Sequence, residues 1–273
     1  QYALTAIDPD FKPKGSRDPL GFQSIWIESA RKLIKDLSTV SSNINDFKIL
    51  CYAKYFFHEV KRQKDERLFL PFFLRLEQAY AYARRKWNDD LNFNGTSFIS
   101  KHYEDEIYSI SNNQKDTILS NQRTYGIYGK YIRPARDMKL FEDQDFNATF
   151  KTSFTIEVLD IFEKLFNQKK LQLTPKSLRP LSNMLIRVTA NEQQFFKKTI
   201  LIGIGEDHIQ KRFYNFLINE NGWTGLSEFN LFNYLNSVKA TSRDDSLNHI
   251  LENIINTEKV LAPLSYKFTY LLS

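Results

Sequence analysis

Apolar side chains recur at three- and four-residue intervals along most of this chain, the pattern of amphipathic helices. In residues 18–33, Phe22, Ile25, Trp26, Ala30 and Leu33 form one stripe. Asp18-Pro19 opens it with an N-cap and a proline in the first turn. Ser41-Ser42-Asn43 caps a second predicted helix with Phe47, Leu50, Cys51, Lys54, Tyr55 and His58 in register. A third is predicted over 70–87, with Phe73, Leu76, Ala79, Tyr80 and Ala83 inward and Arg75, Arg84 and Lys86 outward. After an Asn-, Asp- and Gly-rich loop, a weaker helix is expected over 98–110. Residues 171–180, with Pro175 and Pro180, read as a linker. Capped helices are then expected over 180–188, 191–202, 207–219, 227–238, 244–256 and 258–272. Residues 1–17, with Pro9, Pro13 and Gly15, read as an extended arm.

The segment 120–162 is the main handle on function. Tyr128, Tyr131, Ile132, Ala135 and Met138 share one side of a helical wheel, and Arg123, Lys130 and Arg133 share the other. Pro134 lacks an N–H and biases Arg133 away from the helical region, so a split into 124–132 and 134–140 is expected. Glu142-Asp143-Gln144-Asp145 reads as a turn, and 146–150 as a strand beside Ile118-Leu119. The layout is that of a small winged helix. The fold class expected is therefore all-α for the most part: a multi-helix assembly whose central winged-helix-like module has room for one short β-hairpin. The expected domains are 1–112, 113–170 and 171–273.

Composition agrees with helices. Only 9 Gly and 8 Pro interrupt 273 residues, and 23 Phe with 14 Tyr supply a large aromatic core. Abundant Asn, Lys, Ile, Phe and Tyr suit an AT-rich bacterial genome. The single cysteine, Cys51, excludes an internal disulfide and a Cys-based zinc cluster within this chain. The longest apolar run, 68–74, is too short to span a bilayer, and a cytoplasmic location is expected. The chain begins without Met and stops in a helical pattern, so a longer natural protein is expected.

The net charge of +6 is compatible with a polyanion or acidic partner. In a nucleic-acid reader, Arg123, Lys130, Arg133, Arg136 and Lys139 would meet phosphates. The tightest basic run, Arg84-Arg85-Lys86 beside Trp87, is a further candidate. Its plainer reading is a solvated helix C-terminus whose cations complement the helix dipole.

No catalytic kit stands out. A complete P-loop, a Gly-x-Ser-x-Gly elbow and a His-Glu-x-x-His pair are absent from the sequence. Residues 200–205 contain a partial dinucleotide loop with His208 where its third glycine belongs. His102 and Glu106 would share a helix face, too few ligands for a metal. Arg243 and His249 match the spacing of the HEPN ribonucleases, in which His would assist attack of a ribose 2′-hydroxyl and Arg would stabilise the phosphorane. Asp244 is also a natural N-cap. The expectation is a protein without cofactor or metal, and more readily non-catalytic than an enzyme.

Four pieces resemble an uncharacterised bacterial helical family: Asp18-Pro19-Leu20-Gly21, Leu37-Ser38-Thr39-Val40-Ser41, Phe73-Leu74-Arg75-Leu76-Glu77 with Tyr80-Ala81-Tyr82-Ala83, and Gly126-Ile127-Tyr128 with Tyr131. The likeness is patchy over 18–165. Such proteins look like accessory components of mobile-element or phage-defence loci. The resemblance implies a helper role in a nucleic-acid transaction and carries no catalytic residues. The resulting expectation is a non-catalytic subunit that binds DNA or RNA, or docks to a nucleic-acid-processing complex through a protein partner. The alternatives are the metal-independent ribonuclease of Arg243 and His249, and a pure interaction scaffold.

Overall fold

A computed structural model describes residues 43–203 and 231–272 apart from 114, 153 and 187, together with 27, 28, 41 and 211. The predicted first helix, the arm before it and the helix expected over 207–219 lie almost wholly outside the described residues. The chain divides into two compact units, one of residues 36–207 and one of residues 1–35 with 208–273.

In the first unit, α1 (Ile44–Tyr55) runs into a π-helical turn at Phe56–Val60. Asn43 caps it, its side chain accepting the Asn45 N–H at 2.9 Å. The long α2 (Phe69–Asn88) follows a 3-10 turn at Glu66–Leu68. Pro71 sits in its first turn, where the missing N–H costs nothing. Then come α3 (Thr96–His102), β1 (Tyr108–Ser111), α4 (Gln122–Tyr125), α5 (Ile127–Asp137), α6 (Phe146–Lys151), α7 (Ile156–Asn167) and β2 (Lys170–Leu173). The unit closes with α8 (Arg179–Ile186) and α9 (Ala190–Phe196), which continues as π-helical turns through Lys197–Gly203.

Aromatic rings fill the middle. Phe56 lies 5.4 Å from Phe72 and 5.3 Å from Phe162, Tyr52 lies 5.1 Å from Phe150, and Phe150 lies 5.3 Å from Phe195. Five helices, α1, α2, α6, α7 and α9, thus share one core, largely by edge-to-face contacts. Polar groups inside it are paired. Lys48 Nζ donates to Glu192 Oε2 at 3.1 Å and to the Met184 carbonyl at 2.9 Å. Glu192 also accepts from the Tyr52 hydroxyl and closes a capping box with Thr189 at the start of α9. Arg75 donates to the Leu165 carbonyl at 2.8 Å, satisfying the end of α7.

The structure corrects several expectations. Arg75 and Arg84, expected outward, are buried, because α2 is enclosed on nearly all sides. The helix over 98–110 stops at His102, and 108–111 is a strand. The strand expected over 146–150 beside Ile118-Leu119 is instead the helix α6, and β1 pairs with β2, with Ile110 opposite Leu171 and Ser111 opposite Lys170 in antiparallel register. The pair is therefore no hairpin; it ties together the two ends of the central segment, across the expected boundaries at 112 and 170. A wing built from 146–150 is absent. Pro134 does not divide the helix either: α5 runs through it, and the break falls at Gly126. Burial of Tyr131, Ile132 and Ala135 offsets the lost hydrogen bond, with Tyr131 edge-on to Phe47 of α1 at 4.8 Å.

In the second unit, α10 (Leu231–Thr241) packs on α11 (Asp245–Leu272) through Leu235, Val238, Leu247, Leu251, Ile254 and Ile255. The two helices expected over 244–256 and 258–272 are one. Thr257 meets its i−4 carbonyl, that of Asn253, at 2.7 Å instead of capping a new start.

Candidate nucleic-acid interface

The corner between α4 and α5 builds the candidate surface. Asn121 caps α4, and one extended residue, Gly126 at φ −80° and ψ −173°, separates the two helices. A Cβ on Gly126 would stand 2.4 Å from the Gln122 carbonyl and 2.5 Å from Glu77 Oε1, and one on Gly129 would stand 2.1 Å from the Thr124 carbonyl. Only glycine allows so close an approach. Glu77 reaches across from α2 to accept the Ile127 N–H at 2.6 Å and the Gln122 amide at 2.9 Å.

With α5 seated this way, Ile127, Tyr131, Ile132 and Ala135 are buried, and the expected opposite face is outward. Lys130 is half-buried, and Arg133 and Arg136 are exposed at three-residue spacing, about 60° apart around the helix. Arg123 on α4 and Lys139 just beyond α5 are exposed as well. Arg133 pairs loosely with Asp137 at 3.5 Å, both side chains largely in solvent. Among the described residues, no ion pair engages Arg123, Lys130, Arg136 or Lys139. The acidic turn that follows is partly neutralised by Lys198, which lies 2.9 Å from Asp143 and 2.7 Å from Asp145.

The basic run at the end of α2 is different. Arg84 is 2% exposed; it donates to Asp46 at 2.8 Å, to Asp90 and to the Asn92 carbonyl, and its guanidinium lies over the Tyr80 and Phe93 rings. It is an internal counter-ion and is withdrawn from the candidate phosphate contacts. Arg85 pairs with Asp89 and lies 4.4 Å from the Tyr103 ring, where Lys86 also sits. These two form an aromatic-backed helix end, held by the protein's own groups.

Beside the α4–α5 corner opens a cavity of about 690 Å3. Asp46, Glu77, Arg84 and Tyr131 are its buried polar lining, and Phe93, Asn94, Tyr125 and Lys130 are its more exposed one. The Tyr131 hydroxyl receives the Asn43 N–H at 3.1 Å and bonds Asp46. Burial raises the Asp46 carboxyl against the pull of the Arg84 guanidinium, and pushes Glu77 up to about 7. Sequence reasoning missed this cavity. The available signal was Glu77-Gln78 in a stretch of α2 otherwise dominated by apolar and aromatic residues.

Other candidates are dispersed. Arg243 and His249 are both exposed near the start of α11, in the second unit. Asp244 between them receives the Ser246 and Leu247 N–H groups, so the capping reading accounts for the local geometry. The His249 ring faces Asn253 at 3.4 Å. His102 ends α3 and meets Asp105 at 3.1 Å, so it shares no helix face with Glu106. Cys51 is buried, and burial raises its thiol well above the usual range. Among the described residues, no group of three His, Cys, Asp or Glu could hold a metal ion, and no helix is long and apolar enough to cross a membrane.

No protein-family model, curated protein or solved structure matches the chain.

Proposed function

We propose that this protein is a non-catalytic helical subunit that binds nucleic acid through the α4–α5 corner. The observation that carries the reading is the division of α5. Its tyrosine and isoleucine side anchors to α1 and α2, while Lys130, Arg133 and Arg136 with Arg123 and Lys139 remain available to phosphates. The winged-helix comparison reduces to this corner, two short helices meeting at Gly126, without a strand wing. The resemblance over 18–165 to accessory components of mobile-element or phage-defence loci points the same way, to a cytoplasmic helper that works beside a protein partner. Fluorescence anisotropy with DNA and RNA oligonucleotides at two salt concentrations tests the reading. Phosphate contacts impose a steep salt slope, and absence of binding to either polymer at low salt would leave protein docking alone.

A further inference from the structure

We infer that the cavity beside the α4–α5 corner takes one unstacked, amino-bearing nucleobase of a single-stranded nucleic acid. The inference rests on the nucleic-acid reading and adds to it a strandedness and a base class. The first support is placement: Lys130 belongs both to the cationic side of α5 and to the cavity lining, so a strand held by the cations passes the opening. The volume of about 690 Å3 suits a nucleotide-sized ligand.

The second support is Tyr125. It is 58% exposed at the last residue of α4, and no aromatic ring among the described residues stacks on it. Its backbone is nevertheless fixed, because the Asn94 side-chain amide donates to its carbonyl at 2.7 Å. An exposed tyrosine ring on an anchored backbone is a stacking platform for a base. Phe93, also in the lining, offers a second apolar surface.

The third support is the chemistry of the interior. Two carboxylates, Asp46 and Glu77, and the hydroxyls of Tyr80 and Tyr131 line the cavity. A carboxylate has about four lone-pair sites, and the two bonds that Glu77 accepts leave capacity for another donor. Acceptors set deep in a cleft match the exocyclic amino groups of adenine, cytosine or guanine, each with two N–H donors, whereas thymine and uracil offer them a single imino N–H. A Cβ on Gly126 would collide with the Glu77 carboxylate, so this wall of the cavity requires glycine.

The test uses the full chain with fluorescein-labelled oligonucleotides: single-stranded dA and dC tracts, a dT tract, the RNA counterparts and a mixed-sequence duplex. The expected result is binding of the amino-bearing single strands about tenfold tighter than of dT or duplex. Tyr125→Ala should cut that affinity about tenfold at unchanged melting temperature, and Tyr125→Phe should keep it. The RNA arm reports whether the sugar matters. Duplex binding as tight as single-strand binding, or Tyr125→Ala without effect on the single strands, overturns the inference while leaving the cationic surface standing. Failure of every oligonucleotide to bind at low salt overturns both.

Discussion

Glu77 Oε1 accepts the Ile127 N–H at 2.6 Å, so a carboxyl from the middle of α2 caps the first turn of α5. One bond thereby orients the helix that carries Lys130, Arg133 and Arg136. Glu77 is 3% exposed and burial pushes it up to about 7, against an ordinary value of 4.5. A carboxyl raised in the folded state contributes stability that is complete below about 4.5 and is lost as pH rises through about 7. The loss amounts to roughly 3 kcal/mol at 1.36 kcal/mol per unit. The melting temperature should therefore fall between pH 5 and pH 8, and Glu77→Gln should flatten that profile. A wild-type profile that is flat or rises over this window would contradict the assignment.

Arg84 separates a structural cation from a binding one. Replacing it with Met leaves Asp46 and Asp90 without their guanidinium. Removing one partner of a buried pair costs about 3–5 kcal/mol, so urea unfolding of Arg84→Met should show a loss of that size. Lys86→Ala, on the aromatic-backed surface, should change stability by less than about 1 kcal/mol.

Lys48 and Glu192 fasten α1 to α9, with both side chains at most 1% exposed. Desolvation lowers the Lys48 ammonium, and the Glu192 carboxylate opposes that shift. Lys48→Met should destabilise by about 3–5 kcal/mol, because it strands a buried carboxylate. Adding Glu192→Gln should recover part of the loss, since the glutamine oxygen can still take the Thr189 N–H in the capping box. A double-mutant cycle with no coupling would show that the pair is not a unit.

The helices around this core were legible wherever one face is apolar and a cap precedes it. Asn43 before α1 does what a cap in that position implies, and α9, capped by Thr189, starts one residue ahead of the expected 191. On α2 the helix and its apolar side were legible, but the outward placement of Arg75 and Arg84 was not, because a helix enclosed on nearly all sides uses charged residues as internal partners. Arg84 cannot be told from a solvent cation without Asp46, which lies 38 positions away. The pairing of β1 with β2 was invisible for the same reason: each is a four-residue strand, and the partner lies across the whole central segment. Of the candidate site, the cationic side of α5 could be read from spacing. The cavity could not, because it joins residues from 43 to 131 through tertiary packing alone.

The central claim is that the outward cations of α5 meet phosphates, and Arg133→Glu/Arg136→Glu tests it most directly, because both side chains are exposed. The measurement is the slope of log affinity against log salt for one labelled oligonucleotide, wild type beside variant. Each phosphate contact contributes about 0.7–0.9 to that slope. The account predicts weaker binding at every salt concentration, a slope shallower by about 1.4 to 1.8, and an unchanged melting temperature. Equal affinity and equal slope in the two proteins would contradict it.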